Sequence, residues 1–279
     1  QQEALRLLNL PLQEIESVSK TILIRKVNDL KEGYTLDIQQ NSVTIEAADE
    51  TGAFYGVISL LQLAHASKEK NGKIILPNWK IQDSPKYEWR GIMLDESRYF
   101  FGMEKVKQLL DHMAYYKLNT FHWHLTDAPG WRIEIKNFPK LTTVGGIGNQ
   151  SEPNAPAAYY TQEEIKEIVR YARERMIRVI PEIDMPGHAT AANRAYPEHS
   201  GGGSEKYPDF TFHPAKETTY AYLSQILHEV DALFPSNMMH LGGDEVSFGN
   251  QMWPKDPDVL RLMENERLTD MKDVEDYFF

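Results

Sequence analysis

The sequence predicts an α/β protein, with a small α+β domain over residues 1–84 leading into repeating β–α units over residues 85–279. Three observations carry that prediction. Short β-type runs cluster around a single helix in the first eighty or so residues. From Tyr87 onward, strand-like and helix-period segments alternate four times. Each strand of the second part runs into ionisable side chains at its carboxyl end. Four β–α units in succession suit either a doubly wound parallel sheet or part of a (β/α)8 barrel.

In the first domain Thr21–Ile24, Tyr34–Ile38 and Val43–Ala47 read as strands, separated by turn residues. Thr51 to His65 reads as a helix, with Phe54, Val57, Ile58, Leu61 and Leu63 close to a 3.6-residue period. Ile74-Ile75-Leu76-Pro77 reads as a further strand, and Asp83-Ser84-Pro85 as the boundary. In the second domain the strands are Gly91–Asp95, Asn119–Leu125, Arg178–Asp184 and Met238–Gly243. The helices between them are Met103–Tyr116, Thr161–Arg175 and Lys216–Phe234, with helical pattern again from Asp258. Thr161 with Glu164 three residues on forms a capping box.

Composition excludes several functions. A net charge of −11, with no Lys/Arg-rich run, argues against nucleic acid as a partner. The absence of cysteine removes disulfides, thiolate metal sites and cysteine nucleophiles. No stretch of about twenty apolar residues predicts a membrane span. Gln1-Gln2-Glu3-Ala4 carries no basic and apolar leader, so either no export signal existed or it was removed.

The chemistry concentrates in a few segments. His240-Leu241-Gly242-Gly243-Asp244-Glu245 reads as a strand entering two glycines and then two adjacent carboxylates. Glycine lets backbone approach something closely, and neighbouring acids need different environments if one is to stay protonated. A strand-end turn with two solvated acids is the plain alternative. His122 and His124 share a strand face and could ligate a metal, or could be hydrogen-bonded core histidines. Asp184-Met185-Pro186-Gly187-His188 sets a histidine just past a strand, beside the strand end carrying Asp127. Such a carboxylate–histidine pair orients and charges the imidazole, or merely fixes a loop. Arg98 could grip hydroxyls with its fork of donors, or pair with a surface acid. Trp131, next to Arg132, and Trp253 offer faces for sugar stacking or for the core.

These segments, in this order, resemble the family 20 glycoside hydrolases, the β-N-acetylhexosaminidases. The matching motifs are Arg90–Arg98, Lys117–Asp127, Pro181–His188 and His240–Glu245, and Ala47–Gly56 is similar to the family's accessory α+β module. The likeness runs from about Gly33 to Trp253. It implies a (β/α)8 TIM barrel, of which this chain carries the first four β/α units. It implies a retaining exo-β-N-acetylhexosaminidase that releases terminal β-linked GlcNAc or GalNAc, in which the substrate's acetamido oxygen attacks the anomeric carbon through an oxazolinium intermediate. By resemblance, Glu245 is the general acid and base, and Asp244 holds the acetamido group. Arg98 binds ring hydroxyls, and Asp127 with His188 relays protons behind the acid. Asp184, Glu182 and His124 stand as supporting residues. The resemblance implies no cofactor and no metal, a glycan partner, and a secreted, periplasmic or lysosomal setting.

The chain departs from the family pattern in three places. Ala128-Pro129 follows Asp127 where a second acid and a glutamine are usual, and Tyr99 stands where histidine is common. Family barrels also continue for four more β–α units, which supply an aromatic box for the acetamido methyl. We therefore expect a fragment whose partner is the remaining half-barrel. The competing expectations are an inactive fragment or sugar-binding module, and a metal-dependent TIM-barrel hydrolase using His122 and His124.

Overall fold

The computed structural model describes residues 21–28, 32–67, 69–70 and 73–279; the terminal segment Gln1–Ala4 lies outside them. Among these residues the chain divides into two compact units that do not follow chain order. One comprises residues up to Gly91 with Gln108–Thr120 and Ala172–Ile177, and the other comprises Ile92–Lys107, Phe121–Tyr171 and Arg178–Phe279.

The first unit is built on strands β1 (Thr21–Lys26), β2 (Tyr34–Ile38), β3 (Ser42–Ala47) and β6 (Trp79–Asp83), in the order β1-β3-β2-β6. Helix α1 (Glu50–Ala66) opens on Asp49, whose carboxylate accepts the Gly52 N–H at 2.7 Å and so satisfies a free donor of the first turn. Alternation in β2 places Tyr34, Leu36 and Ile38 on one face. They form a core with Ile45, Ala47 and Tyr55, against which Val57, Leu60 and Ile81 pack.

One sequence expectation shifts here, and one strand is added to those the sequence marks. The run at Ile74–Pro77 is not the strand that joins this sheet. Lys73–Ile74 (β5) closes a small ribbon with Glu69–Lys70 (β4), and the sheet instead gains β6, antiparallel to β2. The stretch Trp79-Lys80-Ile81-Gln82-Asp83 carries little strand signal in its sequence, and it is largely exposed, as an edge strand can be.

The second unit carries β7 (Gly91–Asp95), β8 (Thr120–Asp127), β10 (Arg178–Met185) and β11 (His240–Gly242), in the order β11-β10-β8-β7. Short β9 (Gly130–Trp131) folds back on β8. Sequential strands are therefore neighbours, and β10 and β11 pair in parallel. The intervening helices are α2 (Met103–Tyr115), α4 (Gln162–Arg173) and α6 (Glu217–Asp231), with α3 (Lys140–Thr143) and α5 (Thr190–Ala195) in the loops. The predicted capping box is present, Thr161 and Glu164 bonding reciprocally at 2.8 and 3.2 Å. This is the order of successive β/α units in a barrel, preceded by a small α+β domain.

Period two along β8 and β10 divides the side chains. Phe121, Trp123 and Leu125 are fully buried, and Trp123 meets Tyr160 and Phe234 edge-on. The opposite parity, His122, His124 and Thr126 with Glu182 and Asp184, is polar. Trp131 and Trp253, read from sequence as possible sugar platforms, are each 2% exposed and belong to the core. Beyond β11 come a single turn α7 (Val246–Gly249) and helices α8 (Pro257–Glu266) and α9 (Met271–Phe278). The one helix expected from Asp258 is thus two, broken at Arg267 with φ 59° and restarted by Asp270, which caps Asp273 N–H at 2.9 Å.

Candidate active site

Each contributing residue arrives at the carboxyl end of a strand. β7 delivers Asp95 and, in the turn after it, Arg98; β8 delivers His124 and Asp127; β10 delivers Glu182, Asp184 and the following His188; β11 delivers Asp244 and Glu245. The backbone after β8 turns through Ala128-Pro129 so tightly that Asp127 and Gly130 pair across β8 and β9. The departure from the family pattern at Ala128-Pro129 is thus accommodated by a hairpin.

A continuous line of charge follows. Arg98 Nη1 lies 2.8 Å from Asp95 Oδ2 and 2.7 Å from Asp127 Oδ2. Asp127 Oδ1 lies 3.0 Å from His188 Nδ1, and His188 Nε2 faces Glu245 Oε2 at 3.3 Å and Asp244 Oδ2 at 3.7 Å. Burial alone would push the His188 imidazole down. The bond to Asp127 and the charges of Asp127, Asp184 and Asp244 outweigh it and hold the group at about 9. At neutral pH the imidazolium therefore bridges a buried aspartate and the two terminal acids. His188 and Glu245 both adopt left-handed backbone, at φ 52° and 57°, a conformation that clusters at functional sites.

Asp184 forms the floor. Its N–H donates to Thr126 Oγ1 at 2.9 Å, while its buried Oδ1 has no hydrogen-bond partner among the described residues. Burial, reinforced by Asp127, Asp244 and Glu182, pushes its carboxyl up to about 8 despite the opposing charge of His188. Gly242, at φ 72°, lies directly over this carboxyl, and a Cβ there would sit 1.7 Å from Asp184 Oδ1. The close approach foreseen from the glycine pair thus has its partner.

Glu182 is ringed by imidazoles: His122 Nε2 at 2.5 Å, His240 Nδ1 at 3.3 Å and His124 Nε2 at 3.8 Å. Its burial is opposed by these histidines, which together hold it below the usual carboxylate range. His122, Glu182 and His240 have a donor set suited to a transition metal. His240 Nδ1 already accepts the Gly242 N–H at 3.1 Å, whereas His122 Nε2, close as it is to Glu182, has no hydrogen-bond partner among the described residues. His122 and His124 do not share a ligand group: His122 gathers with Glu182 and His240, and His124 with Asp127 and Asp184. His240 was missed as a contributor. Its even-number parity with Gly242, and its pairing opposite Glu182 across β10 and β11, are the features that reveal it.

The two adjacent acids differ from expectation in one respect. Divergent environments were expected, yet the Asp244 and Glu245 side chains are similarly open, at 66% and 59% exposed. Both face the same imidazole.

A sheet of barrel order that gathers an arginine, a histidine and several carboxylates at its carboxyl edge has the form of a glycoside hydrolase catalytic domain. The chain belongs to glycosyl hydrolase family 20: residues 87–279 match the family's catalytic domain, and residues 2–84 match its domain 2. It is 40% identical to a beta-hexosaminidase of Vibrio furnissii over 92% of this chain and 44% of that protein. It is 34% identical to the beta-hexosaminidase subunit alpha of Mus musculus over 88% of this chain and 46% of that one. Its fold superposes on the exo beta-N-acetylglucosaminidase of Vibrio harveyi, solved with N-acetylglucosamine, at a TM-score of 0.87 and 36% identity, covering 98% of this chain and 45% of that one. A beta-N-acetylhexosaminidase from Bacteroides fragilis gives 0.83 at 39%, covering 96% and 52%. The chain spans about half the length of the relatives it matches.

Proposed function

We propose that the protein to which this chain belongs is a retaining exo-β-N-acetylhexosaminidase, cleaving terminal β-linked N-acetylhexosamine with help from the substrate's own acetamido group. The observation that carries the reading is the aligned path from Arg98 through Asp127 and His188 to Glu245 and Asp244. Arg98, held by Asp95 and Asp127, presents its remaining donors to ring hydroxyls. Glu245 donates a proton to the glycosidic oxygen, and the acetamido oxygen attacks the anomeric carbon as that bond breaks. Asp244 accepts the acetamido N–H and balances the positive charge of the oxazolinium ring. Glu245, now ionised, takes a proton from the water that opens the ring, which restores the β configuration. Retention follows from the two displacements, and the acetamido oxygen replaces the protein nucleophile of most retaining enzymes.

His188 supports both phases. An imidazolium 3.3 Å from Glu245 stabilises the carboxylate left after proton donation, and Asp127 prevents its charge from drifting with the reaction.

The exposure of Asp244 and Glu245 favours a second reading for this 279-residue chain by itself: N-acetylhexosamine binding with little turnover. A proton donor works best when shielded from bulk water. An aryl β-N-acetylglucosaminide separates the two. Release of the phenol with β-N-acetylglucosamine as first product, blocked by a thiazoline mimic of the oxazoline, supports the enzyme reading. Saturable binding of N-acetylglucosamine without release supports the binding module, and an α-configured first product contradicts the mechanism.

A further inference from the structure

Arg132 is 1% exposed, and its guanidinium takes backbone carbonyls as its hydrogen-bond partners. Nε donates to Glu96 O at 3.2 Å, Nη1 to Gly146 O at 2.7 Å and Ala158 O at 3.1 Å, and Nη2 to Ser97 O at 2.8 Å and Gly148 O at 2.7 Å. These account for all the N–H donors a guanidinium has. A buried cation is costly unless fully hydrogen-bonded, so such saturation marks a group whose position is over-determined. A Cβ on Gly130 would fall 2.2 Å from Arg132 Cζ, so the chain leaves room for the fork at the expense of a side chain.

Four of the five carbonyls come from two segments, and the fifth, Ala158 O, lies on a stretch whose Ala158 N–H donates to Gly146 O at 3.2 Å. Glu96 and Ser97 lead directly into Arg98, and Gly146 and Gly148 belong to the loop before Gln150. That loop closes back on the arginine turn, for Gln150 N–H donates to Arg98 O at 2.9 Å. Ser97 Oγ donates to Gly130 O at 2.7 Å, two residues from Arg132. Beneath this turn the buried Glu96 carboxyl accepts the Phe101 N–H at 3.1 Å and the Tyr160 hydroxyl at 3.0 Å. The backbone on either side of Arg98 is therefore clamped, and one planar side chain joins the two halves of the clamp.

We infer that Arg132 is a positioning residue: it fixes the Glu96–Arg98 turn to the 146–150 loop and so sets where the Arg98 guanidinium stands in the sugar site. The inference rests on the proposed sugar-binding role of Arg98 for its effect on substrate, but not for its structural content. Lysine keeps the charge, but its three donors radiate from one nitrogen, so it cannot reproduce the five-bond planar fork that holds these carbonyls in register.

The test uses the full chain as Arg132→Lys, and separately as Gln150→Pro, which leaves Arg132 in place but removes the N–H that holds Arg98 O. Amide hydrogen exchange at Arg98 and Gln150 is expected to quicken about tenfold in Arg132→Lys, while the interior amides of α4 keep their rates. The KM for an aryl β-N-acetylglucosaminide, or the Kd for N-acetylglucosamine, is expected to rise about tenfold in both variants with kcat within about twofold. Unchanged exchange at Arg98 and Gln150, or equal loosening throughout the second unit, overturns the inference. Should Arg132→Lys not fold, an unaltered KM or Kd in Gln150→Pro overturns it instead. If the unaltered chain neither binds nor cleaves the sugar, the sugar-site reading fails while the exchange measurement still decides the clamp.

Discussion

His188 stands between Asp127, which needs it charged, and the Glu245–Asp244 pair, which is steadied by that charge. Its folded value of about 9 exceeds the ordinary 6.5, so protonation favours the fold. That contribution is complete below about pH 6.5 and is lost as pH rises through about 9, on the order of 3 kcal/mol in all. Asp184 acts in the same sense: its carboxyl, raised to about 8 from 3.8, favours the fold while protonated and loses that benefit toward alkaline pH. Denaturant midpoints should therefore fall between about pH 4 and pH 9, and Asp184→Asn should flatten the decline over its lower part; a midpoint that rises across this range would contradict the assignments. Gly242→Ala should lower stability by roughly 3 kcal/mol in thermal unfolding, because its methyl would meet Asp184 Oδ1 and its φ is 72°. Sequence made this glycine conspicuous but could not say that a carboxyl from β10 fills the space above it.

The elements with strong periodicity were legible: β2, β3, α1 and the four strands of the second unit fall close to where alternation and helical spacing put them. Elements held by context were not. β6 carries mixed polar and apolar residues and joins the sheet only because β2 offers its other edge. The α8–α9 break is short, and the helical spacing resumes so soon after Leu268-Thr269-Asp270 that the two helices read as one in sequence. The break itself is set by a left-handed Arg267, followed by Thr269 and Asp270 bonding Asp273 in a new cap. Arg267→Gly removes the steric cost of that conformation and should stabilise the chain by about 0.5–1 kcal/mol in chemical denaturation. A loss of stability would mean that the Arg267 side chain contributes more than its backbone costs.

Contacts distant in sequence decide how the whole chain is organised, and these are least visible beforehand. Lys117 Nζ donates to Tyr34 OH at 2.8 Å, Ser59 Oγ at 2.7 Å and Asp83 Oδ2 at 3.1 Å, joining a residue between α2 and β8 to three positions in the N-terminal sheet and helix. Nothing local in Tyr116-Lys117-Leu118 announces this. Lys117→Met should cost about 1 kcal/mol, read as a lower thermal midpoint, because Tyr34, Ser59 and Asp83 keep their bonds to one another but lose the ammonium that joins all three. The candidate site was legible for the same reason that the sheet was: strand ends are marked by sequence, and strand order brings those ends together. Arg132 and His240 stayed hidden because their partners are backbone carbonyls and a face-sharing glutamate, neither of which leaves a motif. The central claim, that Glu245 moves the proton and Asp244 manages the acetamido group, is tested most directly by the turnover of an aryl β-N-acetylglucosaminide by Glu245→Gln beside the unaltered chain. That variant is expected to lose about a hundredfold or more in kcat/KM with its fold intact, since an amide cannot donate or accept the transferred proton. Turnover at the unaltered rate in Glu245→Gln would contradict it.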